Sequence, residues 1–203
     1  MDERAATVAR IAAALATVAV VVAGCGDDEA EDSRPGNRLE RSDRPAEPPA
    51  GWRTVRNARA GFTLSVPRTW VARTRGPATL IRSDDQLVSA TVAADRSVGE
   101  RDGDPEAFAR RTLRALPGFK GRVFRRSRRV RGSPYRTARV DARGRLSTSR
   151  VPQRLTAAVY QRPGRVVYEV LVFRNARVRP RFNDPVIERL LRSFRAQAPD
   201  FTP

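Results

Sequence analysis

No histidine occurs anywhere in this chain, and its only cysteine is Cys25. Together these shortages exclude Ser-His-Asp and Cys-His catalysis and the His/Cys zinc sites. Carboxylates and hydroxyls are what remain for chemistry, and neither a Gly-rich phosphate loop nor a nucleophile elbow is present. Lysine is nearly missing as well: Lys120 is the only one, so almost all of the positive charge is arginine. A GC-rich codon bias accounts for that preference without cancelling the field the charges create. The apolar run Ile11 to Ala23 is well short of the roughly 20 residues that span a bilayer, and its length suits the apolar core of a signal peptide.

That run ends in Val22-Ala23-Gly24-Cys25, followed at once by Gly26-Asp27-Asp28-Glu29. Such a flank cannot be buried cheaply, which argues against a structural core cysteine. A small apolar tripeptide before a cysteine, after a short apolar core, resembles the lipobox of bacterial lipoprotein signal peptides. The resemblance implies that residues 1–24 are removed and that Cys25 becomes the acylated first residue. It carries a diacylglycerol in that family, and two or more chains give stable anchoring where one does not. The expected address is therefore the outer face of a cell membrane. A cleaved secretory peptide without lipid is the next reading, and a permanent membrane helix the weaker one.

Charge is unevenly placed. The chain holds 40 basic and 22 acidic side chains, a net of +18. Residues 26–50 carry eight acids against four arginines, a net of −4, while residues 51–203 carry a net of +22. An acidic leader thus precedes a strongly basic domain. Residues 25–50 have almost no large apolar side chain and end in Pro45-Ala46-Glu47-Pro48-Pro49, which predicts a disordered tether. A flexible coil of that length spans roughly 25 to 30 Å.

From residue 51 to 203 the pattern is that of a single α/β domain, of the α+β kind, with an antiparallel sheet. Phe62, Leu64 and Val66 alternate on a strand that stops at Pro67, with Arg53 to Asn57 as its hairpin partner. Further strands are predicted at 79–82, 87–94, 121–126, 135–142, 155–161 and 166–173. The last of these is apolar on both faces, the mark of a central strand. Asp104-Pro105-Glu106 opens one helix, closed by Pro117-Gly118. Asp184-Pro185 repeats the start signal ahead of Ile187, Leu190, Leu191 and Phe194.

Trp52 and then Gly61-Phe62-Thr63-Leu64-Ser65-Val66-Pro67-Arg68-Thr69-Trp70 resemble the opening of PsbP/Mog1-like domains. The likeness spans about residues 51 to 197 and implies an α/β/α sandwich. Members of that family include photosystem accessory proteins, a nuclear-transport factor, secretion chaperones and bacterial envelope lipoproteins. Most are binding or assembly modules, so the resemblance implies no catalytic set, cofactor or metal to carry over.

The densest basic stretch holds Arg122, Arg125, Arg126, Arg128, Arg129 and Arg131, followed by Arg136, Arg139, Arg143 and Arg145. On a continuing strand, alternation sends Arg126 and Arg128 to one side and Arg125, Arg129 and Arg131 to the other. A cluster of this kind suits phosphate or carboxylate groups, although a solvated strand face without a partner has the same composition. An extracytoplasmic address argues against nucleic acid and leaves anionic lipid, a wall polymer or an acidic envelope protein as counterparts. Among the acids, Asp84-Asp85 reads as a turn and Asp104 as a helix cap, and Glu100 to Glu106 lacks a calcium-loop pattern. Trp52 and Trp70 read as core anchors rather than as cleft walls. The sequence therefore indicates a non-catalytic envelope module with a basic surface. A histidine-independent enzyme acting on envelope material and a small-ligand carrier are the alternatives.

Overall fold

The computed structural model describes residues 47–95, 103–124, 127–148, 151–161 and 166–197, with the backbone alone over 180–183. Cys25, most of the tether, Arg125 and Arg126 lie outside these residues. Two antiparallel sheets form. Strands β1 (Trp52–Asn57) and β2 (Phe62–Pro67) make the predicted hairpin, and the short β10 (Arg195–Ala196) adds to the other side of β2. The larger sheet has seven strands in the order β3-β4-β5-β9-β8-β7-β6. These are β3 (Val71–Arg75), β4 (Ala78–Arg82), β5 (Val88–Asp95), β6 (Lys120–Val123), β7 (Arg136–Arg145), β8 (Gln153–Gln161) and β9 (Val167–Asn175).

Helix α1 (Pro105–Ala115) covers one face of the large sheet, and helix α2 (Pro180–Ser193) with the β1–β2 hairpin covers the other. The result is the expected three-layer sandwich. β9 sits fourth of seven, and its alternation feeds both cores: Val170 and Val172 face α2, while Leu171 and Phe173 face α1. Under α2, Phe194 gathers an aromatic cluster, stacked 4.3 Å from Tyr160 and 5.9 Å from Phe62, with Tyr168 at 5.2 Å. Each phenol there has a backbone partner. Tyr160 donates to the Leu191 carbonyl and Tyr168 to the Gly61 carbonyl, so the helix and the hairpin are pinned to the sheet by polar as well as apolar contacts. Trp52 and Trp70 are both buried, as core anchors.

Helix α1 starts as its sequence signals, with the Asp104 carboxylate accepting from the Glu106 and Ala107 amides. Helix α2 does not. It begins at Pro180 behind Arg179, so Pro185 stands inside the helix and Asp184 is no cap. Asp184 is instead 2.6 Å from the Arg174 guanidinium of β9, a partner no local signal reveals. Strand β3 was not predicted either. Val-Ala-Arg-Thr-Arg has no apolar alternation, because β3 is an exposed edge held mainly by its backbone pairing to β4.

One acid lies in the middle of the α1 layer. Glu169 is buried on β9, one carboxyl oxygen has no partner, and Thr112 of α1 hydrogen-bonds the group. Burial pushes its carboxyl up to about 8; the Thr112 bond opposes this and the charge of Asp95 adds to it. A folded-state value above the ordinary 4.5 means that the folded protein keeps a proton the unfolded chain has released. The neutral carboxyl therefore contributes stability that is complete below the unfolded value and lost as pH rises through about 8. Denaturant unfolding between about pH 5 and about pH 9 should show wild-type stability falling with pH. Glu169→Gln should flatten that slope and be the more stable protein at the alkaline end.

Candidate anion-binding face

Strand β6 is a short edge strand paired antiparallel to β7, and a pair of glycines leaves room for a ring against it. Gly121 and Gly144 oppose each other across β6 and β7, and the Phe119 ring lies over both. A Cβ on Gly144 would stand 2.6 Å from that ring and 2.5 Å from the Lys120 carbonyl. The missing side chains let an aromatic ring seal the inner side of the edge, while the other side carries only cations.

The register on that other side places basic residues directly opposite one another. Arg122 faces Arg143, Arg143 faces Arg154, and Arg154 faces Arg174, so one row of four arginines crosses β6, β7, β8 and β9. At ordinary strand spacing the row is about 14 Å long. Lys120 and Arg145, opposed two residues along the same two strands on the same face, widen its outer end. Directly opposed like charges destabilise a sheet. Such contacts are relieved by a neutralising partner, by hydration or by a bound anion.

The inner end is neutralised. Arg174 lies 2.6 Å from Asp184, donates to the Thr156 hydroxyl at 2.7 Å, and is 3.8 Å from Asp141. Buried Arg139 pairs with Glu188 of α2 and approaches Asp141 at 3.5 Å. Burial raises the Asp141 carboxyl, but Arg139, the Thr156 hydroxyl and Arg128 together hold it below the ordinary carboxylate range. Arg154, half-buried, donates to the Val178 carbonyl at 2.9 Å. At the outer end no carboxylate among the described residues pairs with Lys120, Arg122, Arg143 or Arg145, and all four are exposed. Arg122 packs over Phe124, 6.0 Å from the ring centre.

The contiguous run that composition singled out is thus divided by the fold. β6 ends at Val123 rather than running on to residue 126, so the expected alternation through Arg131 fails. Of the described arginines in that run, Arg122 alone belongs to the row. Arg128 rejoins β7 by a single bridge to Arg139 and is 2.7 Å from Asp141. Arg129 and Arg131 are exposed on irregular backbone. Arg154, Arg174 and Lys120 were missed because only the pairing of distant strands brings them to Arg143.

Asp85 and Asp104 fall where a turn and a cap were expected, while Glu100 and Asp102 lie outside the described residues. Asp85 accepts from the Leu87 amide and the Ser83 hydroxyl in the β4–β5 turn, and Glu106 pairs with Arg110 at 2.6 Å. No cluster of acids, cysteines or histidines able to hold a metal occurs among the described residues, and no helix there is long and apolar enough to cross a membrane. A groove of about 340 Å³ opens at the same end of the sheet, on the α1 side, between the β4–β5 turn and the β7–β8 loop.

No protein-family model matches the chain, and no curated protein matches it. Solved structures do. The cyanobacterial PsbP (CyanoP) of Synechocystis sp. PCC 6803 has a TM-score of 0.53 at 12% identity, covering 72% of this chain and 93% of its own. The Ran-binding protein Mog1p of Saccharomyces cerevisiae has a TM-score of 0.52 at 10% identity, over 71% and 95%. LpqN, involved in cell envelope biogenesis of Mycobacterium tuberculosis, is a looser match at 0.46, with 16% identity over 68% and 83%. The domain therefore has the PsbP/Mog1-like α+β fold. At these identities the likeness is one of fold, and function has to be argued from the surface.

If the opposed arginines repel, removing one should stabilise the protein. Arg143→Gln is expected to raise the melting temperature at low salt by about 1 to 4 °C. The gain should vanish near 1 M salt, where the screening length falls to about 3 Å. Arg129→Gln, off the row, should change it less.

Proposed function

We propose that this chain is a lipid-anchored, non-catalytic binding module of the bacterial cell envelope, tethered at Cys25 and acting through the cationic face of its sheet. The observation that carries the reading is the row Arg122-Arg143-Arg154-Arg174, whose outer end no described carboxylate neutralises. Guanidinium groups side by side on a rigid sheet match the paired oxygens of phosphate groups, and the rigidity lowers the entropy lost on binding. The counterpart is an envelope component bearing phosphate, with the lipobox-like Val22-Ala23-Gly24-Cys25 supplying the location. The acidic leader of residues 26–50 gives the domain reach from its anchor.

The two halves of this reading have separate tests. Metabolic labelling with a fatty-acid probe should mark the wild-type chain and release should follow Cys25→Ser; an unlabelled product that stays in the membrane contradicts lipidation. For the face, the mature protein in neutral micelles should bind soluble polyphosphate with an affinity that falls as salt rises. Replacing Arg122, Arg143 and Arg145 by Gln together should weaken this at least about tenfold. Replacing Arg129, Arg131 and Arg136 should weaken it much less. Equal losses from the two triple variants would mean that net charge, not this face, does the binding.

A further inference from the structure

The groove on the α1 side has a chemistry unlike the rest of the surface. In a chain where 31% of residues are charged, none of the described side chains that line the groove is ionisable. Its polar groups are the amides of Gln86, Gln153 and Asn175 and the hydroxyls of Ser89 and Thr148, set against apolar walls that include Phe173. Strand register explains the convergence: Ser89 faces Phe173 and Gln153 faces Asn175, so three strand ends contribute to one wall.

The backbone at the rim carries a second signal. Among the described residues Gln86 is the only non-glycine with a positive φ, 58°. The β4–β5 turn forces it there. The Gln86 amide donates to the Ser83 carbonyl, the Ser83 amide to the Val88 carbonyl, and the Leu87 and Val88 amides to the Asp85 carboxylate and the Ser83 hydroxyl. Glycine is the residue that fits such a position without strain. A strained residue whose side chain lines a cavity marks a place where that side chain is needed.

We infer that this groove is a binding site for a neutral, hydroxyl-rich ligand, a mono- or disaccharide unit, distinct from the cationic face. Side-chain amides and hydroxyls each donate and accept, which is what vicinal sugar hydroxyls require; at Asn175 the oxygen already accepts from the Arg177 amide at 2.9 Å, so its NH2 group is what faces a ligand as donor. The apolar wall serves the C–H faces of the rings, and the described lining offers each buried hydroxyl a neutral partner, so binding an uncharged ligand there leaves no described ion unpaired. At about 340 Å³ the groove is at the small end of ligand pockets, which run from about 300 to 1,000 Å³.

Saturation-transfer NMR on the mature protein, with N,N′-diacetylchitobiose and maltose as probes, tests this without reference to anion binding. At least one disaccharide should receive saturation. Its affinity should fall about tenfold in Asn175→Ala and in Gln86→Gly, and stay unchanged in Arg143→Gln. Gln86→Gly should at the same time raise the melting temperature by about 2 to 4 °C, so its loss of binding cannot be a loss of folding. No transfer to either sugar, or transfer that Asn175→Ala and Gln86→Gly leave unchanged, would overturn the assignment.

Discussion

A seven-stranded sheet covered on both faces constrains everything around it, and β9 is where the constraint acts most strongly. Val170 and Val172 must satisfy the α2 layer while Leu171 and Phe173 satisfy the α1 layer. The aromatic cluster around Phe194 then fixes α2 and the β1–β2 hairpin on one side, and Leu113 of α1 closes the other. With both faces occupied at the centre, open surface on this sheet is found at its two edges, β3 and β6, and at the strand ends. Both candidate sites lie there. The cationic row runs from under α2 out to the β6 edge, and the neutral groove opens where β5, β8 and β9 begin or end.

Charge follows the same geometry. Inner guanidinium groups are removed from water, which is tolerable only with partners, and Asp141, Asp184 and Glu188 provide them. Because Asp184 and Glu188 are on α2, neutralising Arg174 and Arg139 also ties that helix to the sheet. Outer guanidinium groups keep their hydration and need no such partners, so repulsion along the row persists. A basic composition set by codon usage would scatter arginine over the surface. Here four of them are stacked in register across strands that are far apart in the chain.

Features that depend on neighbours in sequence could be read in advance. The two-faced apolar pattern of β9 identified the central strand, Asp104-Pro105 marked the start of α1, and Asp84-Asp85 marked a turn. Features that depend on distant pairing could not. Asp184-Pro185 carries the same start signal as Asp104-Pro105, yet Arg174 claims the aspartate and the helix begins five residues earlier, at Pro180. Strand β3 exists because β4 offers it a hydrogen-bonding edge, not because its residues alternate. The run from Arg122 to Arg131 looked like the site because its arginines are consecutive. The row draws on Arg122, Arg143, Arg154 and Arg174, which only the register of three strand pairs aligns. Gln86 gave no local warning, since a polar residue in a turn is ordinary until its φ is known.

The most direct test of the cationic face is arginine Nε–Hε NMR of the mature protein, titrated with pyrophosphate and followed residue by residue. The account predicts that Arg122, Arg143 and Arg154 shift together and saturate at one common concentration, while Arg129, Arg131 and Arg136 move little. Weak, unsaturated shifts spread evenly over all exposed arginines would contradict it and reduce the face to a general excess of positive charge.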